Sequence, residues 1–500
     1  MNLLTSPWIP IQQSGIQEKI TLQQLLCGEK EGDLCLPRDD MEMACLQLLV
    51  AMTQVLFLPK NKQALGARVK TPLSEAEFLA ACNGKEHWFD LEHRETPFMQ
   101  FRGVKAKEIT PLDKLMAGLA DGTSKPFVNP EKQVTQLCGG CAAIALFNTA
   151  NNCPGMGGGF KASLRGSTPI TVMVRQTKLR NSIWINVLTQ ESWQKAAITN
   201  FEQAPNYVEP VKAGETFDVS AMGVPRGLLW QPAHFELVKA ESECACSMCG
   251  SVEAGFTGFK KEKFNYTANG NWPHPFSSRV FSLKSGKKEY KTPSFTTTQP
   301  TWVHLGKLLA TLDKGKEGYE AAPVIQQLHG WYMPTPAVFI GGYRNNQATI
   351  LERRHEMISL TDNWPEHADK IDELVVQALE YKTALRRGLY VFAEGIKDKV
   401  QGSGVNRCAE YDDQFFQQTE QLIRQLLLDA DFAHFQKTKL TLQAELRRVV
   451  LKLFTEATDP YQHDPKMLRA LAVARKMLIH KYLKAIEIPV NIPEEEATNG

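Results

Sequence analysis

The chain has 500 residues, too many for one compact core, so we expect two or three domains. Its composition, 43% hydrophobic and 22% charged, is typical of an ordinary folded soluble protein. Its formal net charge is only +2, so an anionic partner would have to be bound by local basic patches. No signal-peptide pattern or long apolar run occurs, so we expect a cytoplasmic protein.

Residues 1–365 mix short apolar runs, helical patterns and many Gly and Pro turns, which predicts an irregular α+β domain. One helix is well indicated, because Asp39 is a candidate cap, Glu42 follows three residues later, and an apolar run continues to Leu58. Between Gly122 and Gly166, prolines and glycines interrupt regular patterns, so we expect loops there.

Eleven cysteines in a chain without secretion signals suggest thiols or metal ligands. Cys138 and Cys141 form one Cys-x-x-Cys turn, and Cys246 and Cys249 form another, so four thiolates are available for a closed tetrahedral zinc site. The two turns lie much farther apart than the roughly 15–20 residues usual in zinc ribbons. Buried thiols or a redox pair remain alternatives, and Cys244 is a possible alternate ligand.

The glycine run Gly157, Gly158 and Gly159 is not a P-loop, because no Gly-Lys-Ser/Thr follows it. Consecutive glycines let a backbone approach a partner closely, and Lys161 and Arg165 nearby favour an anionic partner. A mobile surface loop is the alternative.

The segment from Gly255 to Lys291 interleaves basic and aromatic residues. Lysines and arginines neutralise phosphates and aromatic rings stack on bases, so the segment suits nucleic acid, although a solvated hairpin with core aromatics explains it nearly as well. The basic members are Lys260, Lys261, Lys263, Arg279, Lys284, Lys287, Lys288 and Lys291, and the aromatic ones are Phe256, Phe259, Phe264, Tyr266, Trp272, Phe276, Phe281 and Tyr290.

A polar turn follows two glycines in the segment Gly341–Ala348. Its amides, on Asn345, Asn346 and Gln347, are donors and acceptors suited to base edges, although a plain polar turn explains them equally simply.

From residue 366 to 490, strand patterns vanish and four amphipathic helical segments with short connections predict an antiparallel four-helix bundle. Asp464 and Pro465 begin the last helix, and residues 491–500 form a polar tail. The apolar stripes are Ile371, Leu374, Ala378, Tyr381, Leu385 and Phe392; Phe415, Phe416, Leu422, Ile423, Leu426 and Leu427; Leu442, Leu446, Val449, Val450 and Leu453; and Leu468, Leu471 and Leu478.

Nucleotide-binding and hydrolase motifs are missing: there is no Walker motif, no Gly-x-Ser-x-Gly and no His-Glu-x-x-His. We therefore expect a binding subunit that is not an enzyme.

Together, these segments resemble the CasA family, the large subunit of the type I-E CRISPR surveillance complex Cascade. The resemblance covers nearly the whole chain and rests on motifs that occur in the family's order. They are Leu36–Glu42, Leu137–Cys141, Gly157–Lys161 and Gly341–His355.

The resemblance implies site residues as well as a fold with an irregular N-terminal domain and a C-terminal helical bundle. The family's minor-groove lysine falls on Lys263, and its glycine loop falls on Gly157 to Gly159. Its strand-separating wedge falls on Asn346, Gln347 and Ala348, and a loop near the guide RNA falls on Phe127, Val128 and Asn129. Its structural zinc ligands fall on Cys138, Cys141, Cys246 and Cys249.

The function implied by the resemblance is antiviral. The family helps to find a short protospacer-adjacent motif (PAM) in double-stranded DNA and starts strand separation for the guide RNA. Its partners are the guide RNA, target DNA, the backbone and small Cascade subunits, and an effector helicase-nuclease. Two alternatives are a zinc-dependent nucleic-acid hydrolase and a scaffold subunit that binds only RNA and protein.

Overall fold

The structure is a computed structural model that describes residues 1–119, 132–331, 337–397 and 405–488. The chain forms two compact units. Unit 1 contains Met1–Thr297 and Thr311–Ile358, and unit 2 contains Thr298–Ala310 and the chain from Ser359 onward. This division differs from the predicted boundary after residue 365, because a short segment far upstream packs with the C-terminal helices. The predicted polar tail, 491–500, lies outside the described residues.

The helices of the described residues follow the chain as α1 (Leu22–Leu26), α2 (Asp39–Leu56), α3 (Lys62–Lys70), α4 (Glu75–Cys82), α5 (Gly139–Asn151), α6 (Leu179–Ile185), α7 (Gln190–Lys195), α8 (Val224–Leu228), α9 (Leu305–Leu309), α10 (Pro323–Leu328), α11 (Ala368–Ile396), α12 (Val405–Leu428), α13 (Phe435–Thr458) and α14 (Pro465–Met477). A π-helical turn, Leu478–Leu483, continues α14. No helix of the described residues is long and apolar enough to cross a bilayer.

The strands are β1 (Ile9–Gln13), β2 (Ile16–Ile20), β3 (Asp33–Leu34), β4 (Thr110–Pro111), β5 (Thr171–Arg175), β6 (Thr216–Asp218), β7 (His234–Lys239), β8 (Cys244–Ala245), β9 (Val252–Glu253), β10 (Phe256–Glu262), β11 (Thr267–Asn269), β12 (Arg279–Lys284), β13 (Lys287–Lys291), β14 (Leu312–Asp313), β15 (Glu317–Glu320), β16 (Ala337–Asn346) and β17 (Thr349–Ser359). They form small separate sheets, ordered β2-β1-β3, β4-β10-β7, β11-β6, β13-β12-β15-β14, β17-β16-β5 and β8-β9. The predicted mixed α+β class is confirmed.

The predicted helix after residue 39 is present as α2, which is buried on almost every side, as its nearly continuous apolar sequence requires. The predicted cap is wrong. Arg38 occupies the N-cap without a side-chain hydrogen bond, and Asp39 and Asp40 lie in the first helical turn.

One helix occurs where the sequence predicted loops. In α5 every residue is buried, and the Cys138 thiol accepts a hydrogen bond from the Cys141 N–H at the helix start. Glycines and prolines on both sides concealed a short alanine-rich segment that is helical because its whole surface is covered. The loop prediction for this segment is therefore corrected.

The C-terminal helical region is confirmed, whereas the exact four-helix bundle stays a prediction. Helix α11 packs against α12, α13 and α14, and α12 packs against α13. The predicted stripes of α11 and α13 are buried, and the Asp464 carboxylate caps α14 by accepting from the Lys466 N–H at 2.9 Å. In α14 the prediction fails for Leu468, which is 47% exposed, because Met467, Ala470 and Ala474 face inward instead.

Candidate nucleic-acid interface and metal centre

The tip of the hairpin formed by β16 and β17 is a two-residue turn, Gln347 and Ala348. Gln347 has φ +53°, a left-handed conformation that is uncommon for a residue with a side chain. Asn345 holds the turn, since its Nδ2 donates to the Gln347 carbonyl at 2.6 Å and its Oδ1 accepts from Thr168 Oγ1 at 2.8 Å. Asn346, Gln347 and Ala348 are all exposed, so a braced backbone presents polar side chains to solvent.

The glycine loop lies beside this tip. Gly157, Gly158 and Gly159 all have positive φ, at +78°, +54° and +90°, which glycine adopts without steric cost. A Cβ on Gly157 would lie 3.5 Å from the Ala348 Cβ, and one on Gly159 would lie 3.5 Å from Lys263 Nζ. Three segments that are distant in sequence therefore meet at one exposed surface.

Lys263 is exposed just beyond the end of β10, and two further lysines lie on the segments that meet there: Lys261 on β10 and Lys161 after the glycine loop. Lys261 Nζ lies 5.7 Å from the centre of the Phe160 ring, and Lys161 Nζ lies 5.6 Å from the centre of the Tyr266 ring. Burial, followed by the charge of Lys261, lowers the pKa of Lys114. Mutual repulsion of this kind is relieved by an anion, so the surface suits a phosphate-bearing ligand.

A buried charge network supports the hairpin from below. The Asp40 carboxylate is fully buried and accepts from Arg38 Nε and Nη2 at 2.9 and 2.7 Å, and from the Tyr343 hydroxyl at 3.0 Å. Arg353 Nη1, on β17, lies 3.3 Å from the same carboxylate. Arg38 also donates to the Ala117 carbonyl at 2.6 Å, so the network joins α2, both hairpin strands and the segment before residue 120.

The four predicted zinc ligands converge. The sulfur atoms of Cys138, Cys141, Cys246 and Cys249 all lie within 4.8 Å of one another. Zinc bonded to four sulfurs at about 2.3 Å spaces them about 3.8 Å apart, so the cluster fits a tetrahedral ion after small side-chain adjustments. Cys244 is exposed on β8 and does not belong to the group, so its candidacy as an alternate ligand is corrected.

The surroundings of the thiols also suit a cation bound by thiolates. Contact with the Cys138 thiol raises the pKa of Cys141 and lowers the pKa of Cys249, because crowded thiols share protons unequally. Lys19 Nζ lies 3.2 Å from Cys138 Sγ. Burial opposes its charge, but the thiolates of Cys138 and Cys249 outweigh burial and raise the pKa of Lys19. The ammonium and the N-terminus of α5 both offset the excess negative charge of a four-thiolate site.

Comparison with known proteins decides the family. Residues 2–453 match the family described as CRISPR-associated protein Cse1. This chain belongs to the Cse1 family. The match confirms the resemblance to CasA, the alternative name carried by the structure of Thermus thermophilus CasA (Cse1).

Solved structures of Cse1 proteins share the fold. The Thermobifida fusca Cse1 structure is 17% identical, with a TM-score of 0.74 over 97% of this chain and 98% of that one. Thermus thermophilus CasA (Cse1) is 15% identical, with a TM-score of 0.70 over 97% and 99%. A chain of a structure described as a CRISPR RNA-guided surveillance complex is 14% identical, with a TM-score of 0.71 over 96% and 99%.

Two expectations about this Cse1 surface are corrected. Arg165 does not face a ligand: it is 2% exposed and donates at 2.8 Å to Asn152 Oδ1 and Ser277 Oγ. Burial lowers the pKa of Arg165 to about 9. Its hydrogen bonds to neutral oxygens, including Asn152 Oδ1 before the glycine loop, hold the base of that loop. The aromatic residues of 255–291 are core residues, because all except Tyr290 are at most 8% exposed, so they are not available for base stacking.

The predicted guide-RNA loop, Phe127, Val128 and Asn129, lies outside the described residues. The chain on both sides of it is well anchored. The Asp113 carboxylate accepts from the backbone N–H groups of Lys132 and Val134, each at 2.8 Å.

Sequence reasoning missed the role of Asp40, which a helix-cap interpretation obscured. Its partners lie on strands about 300 residues away, at Tyr343 and Arg353, as their sequence separations of 303 and 313 show. The only signal in the sequence is that Asp39-Asp40 is acidic and Arg353-Arg354-His355 is basic. Opposite charge alone does not predict which of these residues contact each other.

Proposed function

We propose that this chain is the non-catalytic large subunit of an RNA-guided CRISPR surveillance complex, and that it recognises the PAM in double-stranded DNA and opens the duplex. The observation that carries the proposal is the meeting of the glycine loop, Lys263 and the hairpin tip at one surface. The Cse1 match and the similar fold of a chain from a surveillance complex support it.

The geometry suits reading from the minor groove. Gly157 to Gly159 have no side chains, so their backbone can reach the floor of a groove about 6 Å wide. Lys263 next to this loop supplies a donor for the acceptors on the groove floor. Because the minor groove distinguishes mainly A·T from G·C pairs, this mode of recognition tolerates several PAM sequences.

Strand opening is assigned to the hairpin tip. Asn346, Gln347 and Ala348 would enter below the PAM, where unstacking one base step costs about a few kcal/mol. A wedge must keep its shape while it meets this cost, and the hydrogen bonds of Asn345 to Gln347 in the turn and to Thr168 on a neighbouring segment would provide that stiffness. Electrostatic contacts around Lys263 would offset the unstacking free energy.

The remaining roles follow from the same proposal. Phe127, Val128 and Asn129 would contact the guide RNA near the PAM, the helical region would bind backbone and small subunits, and the complex would recruit the effector helicase-nuclease. We place this activity in the prokaryotic cytoplasm. The four cysteines would hold structural zinc, because four sulfurs fill a tetrahedral shell and leave no open position for a hydrolytic water.

The test is a binding and opening assay on reconstituted complex, using duplexes that differ only in the PAM and carry 2-aminopurine at the first protospacer pair. Lys263→Ala should remove the affinity difference between the duplexes, whereas Gln347→Ala should leave binding but reduce the fluorescence increase that reports opening. Lys195→Ala and Gln194→Ala, both exposed on α7, are matched controls. The proposal is wrong if Lys263→Ala and Gln347→Ala behave like their controls.

A further inference from the structure

Helix α14 and the π-helical turn after it carry a concentrated positive charge in unit 2. Between Pro465 and Ile486 there are six lysines and arginines and no acidic residue, whereas the whole chain has a net charge of only +2. The remaining chain is therefore acidic on balance, although Gly255–Lys291 in unit 1 is also basic.

The charge is arranged along one face of the helix. Arg469, Lys476, His480 and Lys484, here called the basic stripe, are separated by seven, four and four residues, spacings that return to the same side of a helix. All four side chains are exposed, and Arg475 and Lys481 are exposed beside them. The stripe is about 20 Å long, a length over which one strand of B-form DNA presents about six phosphates.

Packing fixes the orientation of the basic stripe. The opposite face of α14 approaches α11 at two glycines, where a Cβ on Gly388 would lie 3.2 Å from Leu478 and one on Gly395 would lie 2.7 Å from Ala470. These close approaches prevent the helix from rotating, so the basic side chains stay directed away from α11. On α11, the Arg387 guanidinium lies 5.9 Å from the ring centre of Tyr482, so α11 contributes a further positive charge near this part of the helix.

Among the residues that the structure describes, the basic side chains of the stripe have no acidic partner. No ion pair joins a member of the stripe to a described residue, in contrast to the basic residues of α12 and α13. On those helices Arg424, Arg448 and Lys452 pair with Glu420, Glu445 and Glu456 at 3.0, 2.6 and 3.7 Å. Within the described part of the chain, Arg469, Lys476 and Lys484 are therefore open to an external anion.

We propose that the basic stripe binds the phosphodiester backbone of nucleic acid, independently of the PAM surface in unit 1. Regularly spaced, unpaired cations match a polyanion, and backbone contacts need no base sequence. An acidic protein is the less favoured partner, because lysine is depleted at the centres of protein interfaces. The proposal extends beyond PAM recognition, since it gives the helical unit its own nucleic-acid contact.

The test measures binding of the purified full-length chain to a fluorescein-labelled 30-nucleotide single strand and to a PAM-free duplex of the same length. The variant Arg469→Gln/Lys476→Gln/Lys484→Gln removes three stripe charges. Each lost phosphate contact lowers the slope of log K against log salt concentration by about 0.7 on single strands and 0.9 on duplexes, so we expect slopes smaller by about 2 or 3. The arm with the larger change identifies which form the stripe contacts.

The matched control, Arg424→Gln/Arg448→Gln/Lys452→Gln, removes the same total charge from ion-paired positions and should leave the slope nearly unchanged. Thermal unfolding checks that both variants fold. Equal effects of the two variants, or no effect of the stripe variant, would overturn the proposal, as would unchanged nucleic-acid binding with impaired assembly into the complex. Lys263→Ala separates the two sites, because it should abolish only the PAM-dependent part of duplex affinity.

Discussion

Tyr343 is the single side chain through which β16 reaches the buried carboxylate of Asp40. Its hydroxyl donates to Asp40 at 3.0 Å and accepts from Asn148 Nδ2 at 2.8 Å, in an environment where its own side chain is 0% exposed. Water cannot replace either bond at this depth. The hydroxyl is thus a structural link between the hairpin, α2 and α5, and not merely a filler of the core.

Replacing this hydroxyl should destabilise unit 1. Tyr343→Phe keeps the ring, removes one donor from the buried Asp40 carboxylate and leaves the Asn148 amide without its acceptor, so we expect the free energy of unfolding to fall by about 2–3 kcal/mol in urea titrations. Tyr207→Phe is the control, because its hydroxyl is also buried but donates once, to the neutral Trp88 carbonyl at 3.0 Å. Equal losses for the two variants would show that the charge network adds nothing.

For single residues, the sequence predicted which residues are exposed at the site better than it predicted which residues contact each other. Gln347 and Lys263 were predicted from the family resemblance, and both are exposed, but whether they bind DNA stays a prediction. Arg165 was misjudged because a charge in a sequence suggests solvent, and Asp40 was overlooked because the neighbouring Asp39 was interpreted as a helix cap. Burial beside partners more than 100 residues away is a property of the fold that no local pattern contains.

Two loop glycines, Gly159 in the glycine run and Gly166 after it, permit a matched pair of substitutions. Gly159 and Gly166 have nearly the same strained backbone, with φ +90° and +97°, but only Gly159 borders Lys263. Alanine at either position should cost about 1 kcal/mol or more of stability, because left-handed φ disfavours a Cβ. Only Gly159→Ala should also weaken PAM discrimination in the reconstituted complex, and similar discrimination by the two variants would argue against close approach at the loop.

A metal bound by all four thiolates would join the two Cys-x-x-Cys turns into one structural unit. We expect Cys141→Ser to lower the zinc content measured by plasma mass spectrometry and to speed amide exchange in both turns, since a structural metal couples binding to folding. Cys244→Ser, an exposed cysteine outside the cluster, should leave both measurements unchanged. Wild-type protein purified without chelators and free of zinc would contradict the assignment.

Elements were predicted well where their apolar pattern was long. The stripes of α11 and α13 identified buried faces correctly, because a long amphipathic helix has few other ways to cover its apolar side. In α14, Leu468 was assigned to the core, yet small residues such as Ala470 and Ala474 occupy the contact. At Gly395 the two helices approach so closely that only a small side chain, Ala470, fits between them, which hydrophobicity alone does not reveal.

For the whole molecule, the class and the C-terminal helical region could be predicted from sequence, whereas long-range assembly could not. Residues 157–159, 263 and 346–348 are brought together by packing of several small sheets, and the sequence assigned them to one surface only through family resemblance. The segment Thr298–Ala310 joins unit 2 for the same reason: a chain can leave a unit and return to it without any local signal.

Helix α5 has a consequence for metal and DNA together. The proposed zinc ligand Cys138 caps its first turn, while Asn148, in its last turn, donates to the hydroxyl of Tyr343 on the β16–β17 hairpin, the proposed wedge. A ligand that orders one end of α5 reduces the entropy cost of ordering the other end. Such linkage is reciprocal, so each ligand increases the affinity for the other by the same factor. Target DNA would then tighten the hold on the metal, so a cell short of zinc would lose its unengaged complexes before those already on a target.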